Sequence, residues 1–387
     1  MLSRLDEIDW KARDAEHIPA ILRQLISEDA KVGAIALSDF DEKIVHYNFT
    51  LDAHDIDKIE MYLASDIYSD VLHFVIEIIT SKSTSPGIRL GLYYSLSLIA
   101  EFVDILEALK RDTNRAITLK KKVWGYQSIY FSQLRTSSSG EKIAIISLLR
   151  RFPEEFEIII PRFKEAIETE KDDDIRAYLL DALRRRSHAV KRSLFLKHEF
   201  DVFLPDLVEK NTYHVVRITA AVFTASLLRG ETPPFIVDYI LDILVDGSQH
   251  RSSSYECRAL FRNIQTRAIG QLGKQKGIPA IIHLLDHAYD PEVLTFAWLT
   301  ALFLALPGDK SIDDFSYMVI PSSRPSHTLH FTEQSPEDAR IDITALTEDQ
   351  RAVLQALVRN DGIWKLNTNF HKEFSLPTTQ EGLRSVL

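Results

Sequence analysis

Few side chains in this 387-residue chain stand at the spacings that reactive chemistry demands. His283 and His287 are four apart, so one helix face would present both imidazoles, as a pair of metal ligands requires. No H-E-x-x-H pattern accompanies them, and Asp286 and Asp290 read equally well as solvent-facing carboxylates. Asp14, Glu16 and His17 are the other close group of ligand-type residues. A metal site is expected at neither place, and no cofactor is expected. The single cysteine, Cys257, lies in an apolar run and reads as a packed thiol rather than a nucleophile. The sequence has no G-x-G-x-x-G, no G-x-x-x-x-G-K-[ST] and no G-x-S-x-G. No catalytic residue is therefore named, and a non-enzymatic role is expected.

A row of arginines is more regular. Arg176, Arg217 and Arg258 each follow an apolar residue at the start of a helical run, and successive members are 41 residues apart. Val293 opens a similar run after Asp290-Pro291. A fixed period near 40 residues marks stacked helix pairs, an α-solenoid. The row would either line a binding groove or tie the repeats together, and the structural role is favoured.

The apolar period and its breakers lay out the helices that would position these residues. Ile18 to Ile26 opens the chain behind Pro19. Ala34 to Ile44, Ile56 to Leu63 and Val71 to Ile79 follow, and the polar run SKSTSPG (81–87) ends the fourth helix. A long helix is expected from Ile88 to about Lys110 and another from about Arg115 to Leu134, with RTSSSG (135–140) as a loop. Then come Ile143 to Leu149, a helix started by Pro153, and one capped by Asp172, Asp173 and Asp174 and running to about Arg186. Val215 to Leu228, a helix opened by Pro233-Pro234, Tyr255 to Leu272, and runs from Gly277 and Val293 complete the regular part. Residues 306–345, with Pro307, Pro321, Pro325 and Pro336, break the pattern and are expected to form a loop or insertion. Residues 346–387 are expected to form a C-terminal helical cap. The expected fold is all-α: an α-solenoid of about seven helix pairs spanning 1–387 as a single domain. Within it, 1–80 are acidic N-terminal repeats and 81–305 the central repeats.

On these residues the chain resembles HEAT repeats. The matching stretches are PRFKEAIETEKDDDIRAYLLDAL (161–183), PDLVEKNTYHVVRITAAVFTASL (205–227) and IPAIIHLLDHAYDPEVLTFAWLTAL (278–302). The resemblance implies that each arginine of the row bonds an aspartate of the adjoining repeat. DWKARDAEHIPAILRQLISEDA (9–30), His46, LTEDQRAVLQALVRNDGIW (346–364) and SLPTTQEGLRSVL (375–387) also look like a poorly characterised family of bacterial HEAT-repeat proteins. Some of its members sit in gene neighbourhoods of toxin–immunity type. That family tends to have a glycine soon after the histidine. Tyr47-Asn48-Phe49 follows here, so no role passes to His46.

Charge directs the functional expectation. The chain carries a net −10, and residues 1–80 alone hold 17 acidic and 7 basic side chains. Such a field repels phosphate backbones and attracts basic partners. Asp52, Asp55 and Asp57 are candidate contacts in the acidic end. Lys120-Lys121-Lys122 and the aromatics after it make Lys121, Trp124 and Tyr126 candidates in the centre, and Arg262 and Arg267 are candidates beside Arg258. The pI of about 5.7 weighs against nucleic acid despite the basic runs at 120–122 and 184–186, the latter expected to complement a helix C-terminus. Lack of a signal-type N-terminal stretch and of a disulfide pair favours a cytoplasmic setting. The most apolar run, 90–109, holds Glu101, Asp104 and Glu107 and reads as a core helix, not a membrane span. A protein-binding scaffold is expected, in its specific form an immunity-type inhibitor of a toxin. The alternatives are a DNA-binding relative of HEAT-like glycosylases for alkylated bases and a bilin-lyase-like protein.

Overall fold

Aspartates cap three of the described helices, at Asp29 and Asp172 as expected and at Asp52, expected instead as a partner contact. In the computed structural model Asp29, Asp52 and Asp172 stand at N-caps, and each carboxylate accepts a backbone N–H of the first turn, at 2.8, 2.9 and 3.0 Å. The structure describes residues 2–245 except 3, 47–51, 188–189 and 229–230, and beyond them 264, 268–272, 276–287 and 297. The expectations for 306–345 and 346–387, for the Val293 run and for Arg258, Arg262 and Arg267 lie outside the described residues.

The described chain is all-helical, with no strand among the described residues. In order come α1 (Ile18–Leu25), α2 (Ala30–Lys43), α3 (Ala53–Ala64), α4 (Ile67–Thr80), α5 (Pro86–Ala108), α6 (Asn114–Trp124), α7 (Gln127–Thr136), α8 (Ser139–Leu149), α9 (Phe156–Thr169), α10 (Asp173–Arg186) and α11 (Arg192–Lys197). Then follow α12 (Phe200–Lys210), α13 (His214–Leu228), α14 (Pro234–Val245) and α15 (Ile278–His287). No described helix is long and apolar enough to cross a membrane. The chain divides into two compact units, Met1–His198 and Glu199–Leu387.

In the first unit α2 packs on α5, α5 on α8 and α8 on α10. Side chains stitch the row. Ser95 Oγ on α5 donates to Asp41 on α2 at 2.6 Å, and Ser97 Oγ donates to the Ser147 carbonyl on α8 at 3.3 Å. Gly91 lets α5 approach α2, since a Cβ there would stand 2.2 Å from Leu37 Cδ2. Glu141, only 2% exposed, closes a capping box with Ser138 and also accepts Arg89 Nε of α5 at 2.6 Å.

Two expected boundaries are corrected. The helix read from Arg115 to Leu134 is two helices, α6 and α7, parted at Gly125-Tyr126. At the break the Val123 carbonyl accepts both the Tyr126 N–H, at 3.3 Å, and the Tyr130 hydroxyl, at 2.9 Å. The loop read at 135–140 shrinks to Ser137-Ser138, because the capping box starts α8 at Ser139.

In the second unit α12 packs on α13, α13 on α14 and α14 on α15. Helix α13 is buried on nearly every side from Val215 to Leu228, the mark of a central helix. Its two buried hydroxyls, on Thr219 and Thr224, donate to carbonyls four residues back at 2.6 and 2.8 Å, so neither is left unsatisfied.

Candidate recognition cleft

The turn that follows α2 builds the site. Ile44 N and Val45 N both donate to the Phe40 carbonyl at 3.0 Å, and His46 then takes a left-handed backbone, φ 53°. That conformation is uncommon for any residue with a Cβ, and costs about 1–2 kcal/mol. It places the His46 ring edge-on against Tyr62 of α3, centroids 5.2 Å apart. Tyr62 in turn meets Tyr68 at 5.6 Å, and Tyr68 meets Phe102 at 5.3 Å, so a buried aromatic column anchors the turn.

Over this column opens a cleft of about 740 Å³ lined by His17, Ser38, Asp41, Glu42, Lys43, His46, His54, Asp55, Lys58 and Tyr62. Both lysines are engaged: Lys43 with Asp39 at 3.0 Å, and Lys58 with Asp14 at 3.3 Å. Among the described residues the lining carboxylates are not so matched. Asp41 has the Ser95 hydroxyl, and neither Glu42 nor Asp55 has an ionic partner. Two buried polar atoms are orphaned, Asp55 Oδ2 and His46 Nε2. Buried polar atoms without partners are rare and costly.

The environment tunes these groups. Burial, with the nearby Lys58, His17 and His54, pulls the His46 imidazole down to about 4, so it is neutral at pH 7. Burial pushes the Tyr62 phenol up to about 12, helped by Asp14, and the Tyr62 hydroxyl lies 3.3 Å from His17 Nε2. Burial raises the Asp41 carboxyl, and the Ser95 hydrogen bond opposes that rise. The arrangement offers hydrogen-bond acceptors and net negative charge to a visitor bearing N–H donors.

Of the expected contacts, Asp55 lines the cleft. Asp52 is spent as the α3 N-cap, and Asp57 lies 3.7 Å from the Arg111 guanidinium. Lys121 projects into solvent from α6. Trp124 is 9% exposed and packs between Phe131 and Phe152, while Tyr126 is half-buried. Lys120 is buried against Glu154, at 3.2 Å, and the Phe152 ring; Lys122 donates to Ser69 Oγ at 2.7 Å. The rings of His283 and His287 stack 4.2 Å apart on the exposed side of α15. Among the described residues no group of three His, Cys, Asp or Glu is placed to hold a metal ion. Asp14 faces Lys58, His17 faces Tyr62, and Glu16 is exposed.

The arginines are internal fasteners, with partners other than those expected. Arg176 Nε donates to the Ile167 carbonyl at 3.1 Å, and Arg217 Nε to the Val208 carbonyl at 2.8 Å; each acceptor is nine residues back, on the preceding helix. Each is thus bonded within its own helix pair, because the last turn of the first helix leaves carbonyls open. Arg176 also holds Asp173 of its own helix, and the Arg217 guanidinium lies 4.3 Å over Tyr239 of α14. Arg184 and Arg185 both bond Asp181, and Arg186 Nε donates to the Arg150 carbonyl. That replaces the expected dipole-only role. Arg217→Met is expected to lower unfolding free energy by about 1–3 kcal/mol, from the orphaned carbonyl and the lost ring contact. Urea denaturation measures this, and an unchanged midpoint would remove the fastening role.

No family model, curated protein or solved structure matches the chain.

Proposed function

We propose that this chain is a non-enzymatic, cytoplasmic α-solenoid of HEAT-like helix pairs that binds a basic protein through its acidic N-terminal helices. Its specific form is an immunity-type inhibitor that covers the basic face of a toxin. The observation that carries this proposal is the charge imbalance of the N-terminal cleft: both of its lysines are ion-paired, while Glu42 and Asp55 have no ionic partner among the described residues. The use of Lys120, Lys122 and Arg184 to Arg186 in contacts within the chain supports it further, since much of the basic charge that would grip a phosphate backbone is engaged. Electrostatic complementarity of this kind speeds encounter and selects partners.

The test compares the wild-type chain with a Glu16→Gln, Glu42→Gln, Asp57→Asn variant as baits in lysate from the native host. The expected result is capture of a basic protein by the wild type, weakened by added salt and lost in the variant, with helicity unchanged. Equal capture by both baits, or retention of DNA in place of protein, would overturn the proposal.

A further inference from the structure

The cleft is specific enough to suggest what enters it. His46 lines the cleft, is 8% exposed, and its Nε2 is held out of water with no partner among the described residues. Asp55, half-buried on the α3 side of the cleft, likewise has an Oδ2 with no partner among the described residues. Asp41 lines the cleft from α2, its Oδ1 accepting Ser95 Oγ. Acceptors thus come from three places: the end of α2, the turn after it, and the first turn of α3. A lone ammonium is a compact point charge, whereas a guanidinium is planar and carries five N–H donors in a fixed fork. Acceptors dispersed over three places suit the fork, whose donors spread within one plane. An anionic guest fits less well, because Lys43 and Lys58 are ion-paired to Asp39 and Asp14.

We propose that the cleft is a guanidinium receptor, filled by an arginine side chain of the basic partner, with Asp55 and Asp41 as carboxylate acceptors and His46 Nε2 as a third. With the imidazole proton on Nδ1, Nε2 is an acceptor and completes the set. The occupant's source rests on the docking proposal above, whereas the receptor chemistry does not. An arginine held this way would be the desolvated anchor around which a wider acidic rim excludes water.

The experiment titrates the full chain with N-acetyl-arginine amide, using N-acetyl-citrulline amide as the uncharged analogue of the same shape. The ¹⁵N signal of His46 Nε2 is followed by NMR. The expected result is a saturable shift with the arginine compound and none with citrulline. Asp55→Asn keeps the shape and should weaken binding by about tenfold or more, the scale for losing one charge-assisted hydrogen bond. The same variant should weaken capture of the basic protein. A His46 signal indifferent to the arginine compound, or equal response to citrulline, would overturn the receptor, and would leave the docking proposal to its own charge-neutralisation test. Binding of the arginine compound together with protein capture indifferent to Asp55→Asn would overturn the partner arginine as occupant and assign the cleft to a free guanidinium compound. Asp41→Asn serves as a second variant should Asp55→Asn fail to fold.

Discussion

Asp181→Ala is expected to cost about 3–5 kcal/mol of unfolding free energy, the usual penalty for stripping one partner from a buried ion pair. Asp181 is 3% exposed and Arg184 8% exposed. The carboxylate accepts Arg184 Nε and Nη2 at 3.1 and 2.7 Å and Arg185 Nε at 2.6 Å. Burial alone would raise the Asp181 carboxyl, but the two guanidiniums outweigh it and hold the group below the usual carboxylate range. Removing the carboxylate leaves a buried Arg184 charge uncompensated, in a neighbourhood that already crowds Arg150 with Arg185, Arg151 and Arg186. Chemical denaturation of the variant gives the loss directly. The double variant Asp181→Leu, Arg184→Leu should recover much of it, because a buried pair is replaced by apolar volume. No recovery in the double variant, or a single-variant loss below about 1 kcal/mol, would mean the knot is solvated and does not hold α10.

The second large effect is an acid-sensitive N-terminal unit. His46 has a folded-state value near 4 against an ordinary 6.5. The unfolded chain therefore takes up the proton first as pH falls. The stabilisation from keeping the ring neutral is complete above 6.5 and is lost between 6.5 and 4. A shift of that size corresponds to about 3 kcal/mol. His46→Asn isolates it, since asparagine tolerates the left-handed backbone and does not titrate. The wild type should lose stability over that window more steeply than the variant, and parallel curves would show that His46 is solvated in the folded chain.

Most of the helical layout was legible because local chemistry and global packing agree. Asp29 and Asp172 precede apolar-periodic runs and do cap them, and Pro234 stands where an absent N–H costs nothing; Asp52, expected as a partner contact, is a third cap, and Pro86 starts α5 two residues before the expected Ile88. The misread places are those where the apolar period carries no signal. A capping box with no counterpart in the apolar period starts α8. The break at Gly125 comes with a tyrosine hydroxyl bond to Val123, seven residues back, that the apolar period does not show. The arginine echo was visible, but its acceptors are backbone carbonyls, and every residue has one, so residue types could not point to them.

The cleft was harder to see for a related reason. Its lining comes from residue 17, from 38–46 and from 54–62, and no two of its three histidines, His17, His46 and His54, stand at the i, i+4 spacing that marks a ligand pair. Of its lining only Asp55 was expected as a partner contact, from charge density; His17 and His46 stand out in the sequence without a binding role. The one local signal was a histidine just past the end of a helix, the position where left-handed residues gather. Without a glycine there, the backbone cost must be met by packing, and the column of Tyr62, Tyr68 and Phe102 supplies that packing.

The affinity of the captured basic protein for the wild-type chain and for Asp41→Asn, Asp55→Asn bears most directly on whether this cleft carries recognition. Titration calorimetry at low and raised salt supplies the comparison. The account predicts at least about a tenfold weaker complex and a shallower salt dependence in the double variant, with thermal stability retained. An unchanged affinity, with the loss appearing instead in Lys121→Ala, would contradict it and move the interface to the basic surface of α6.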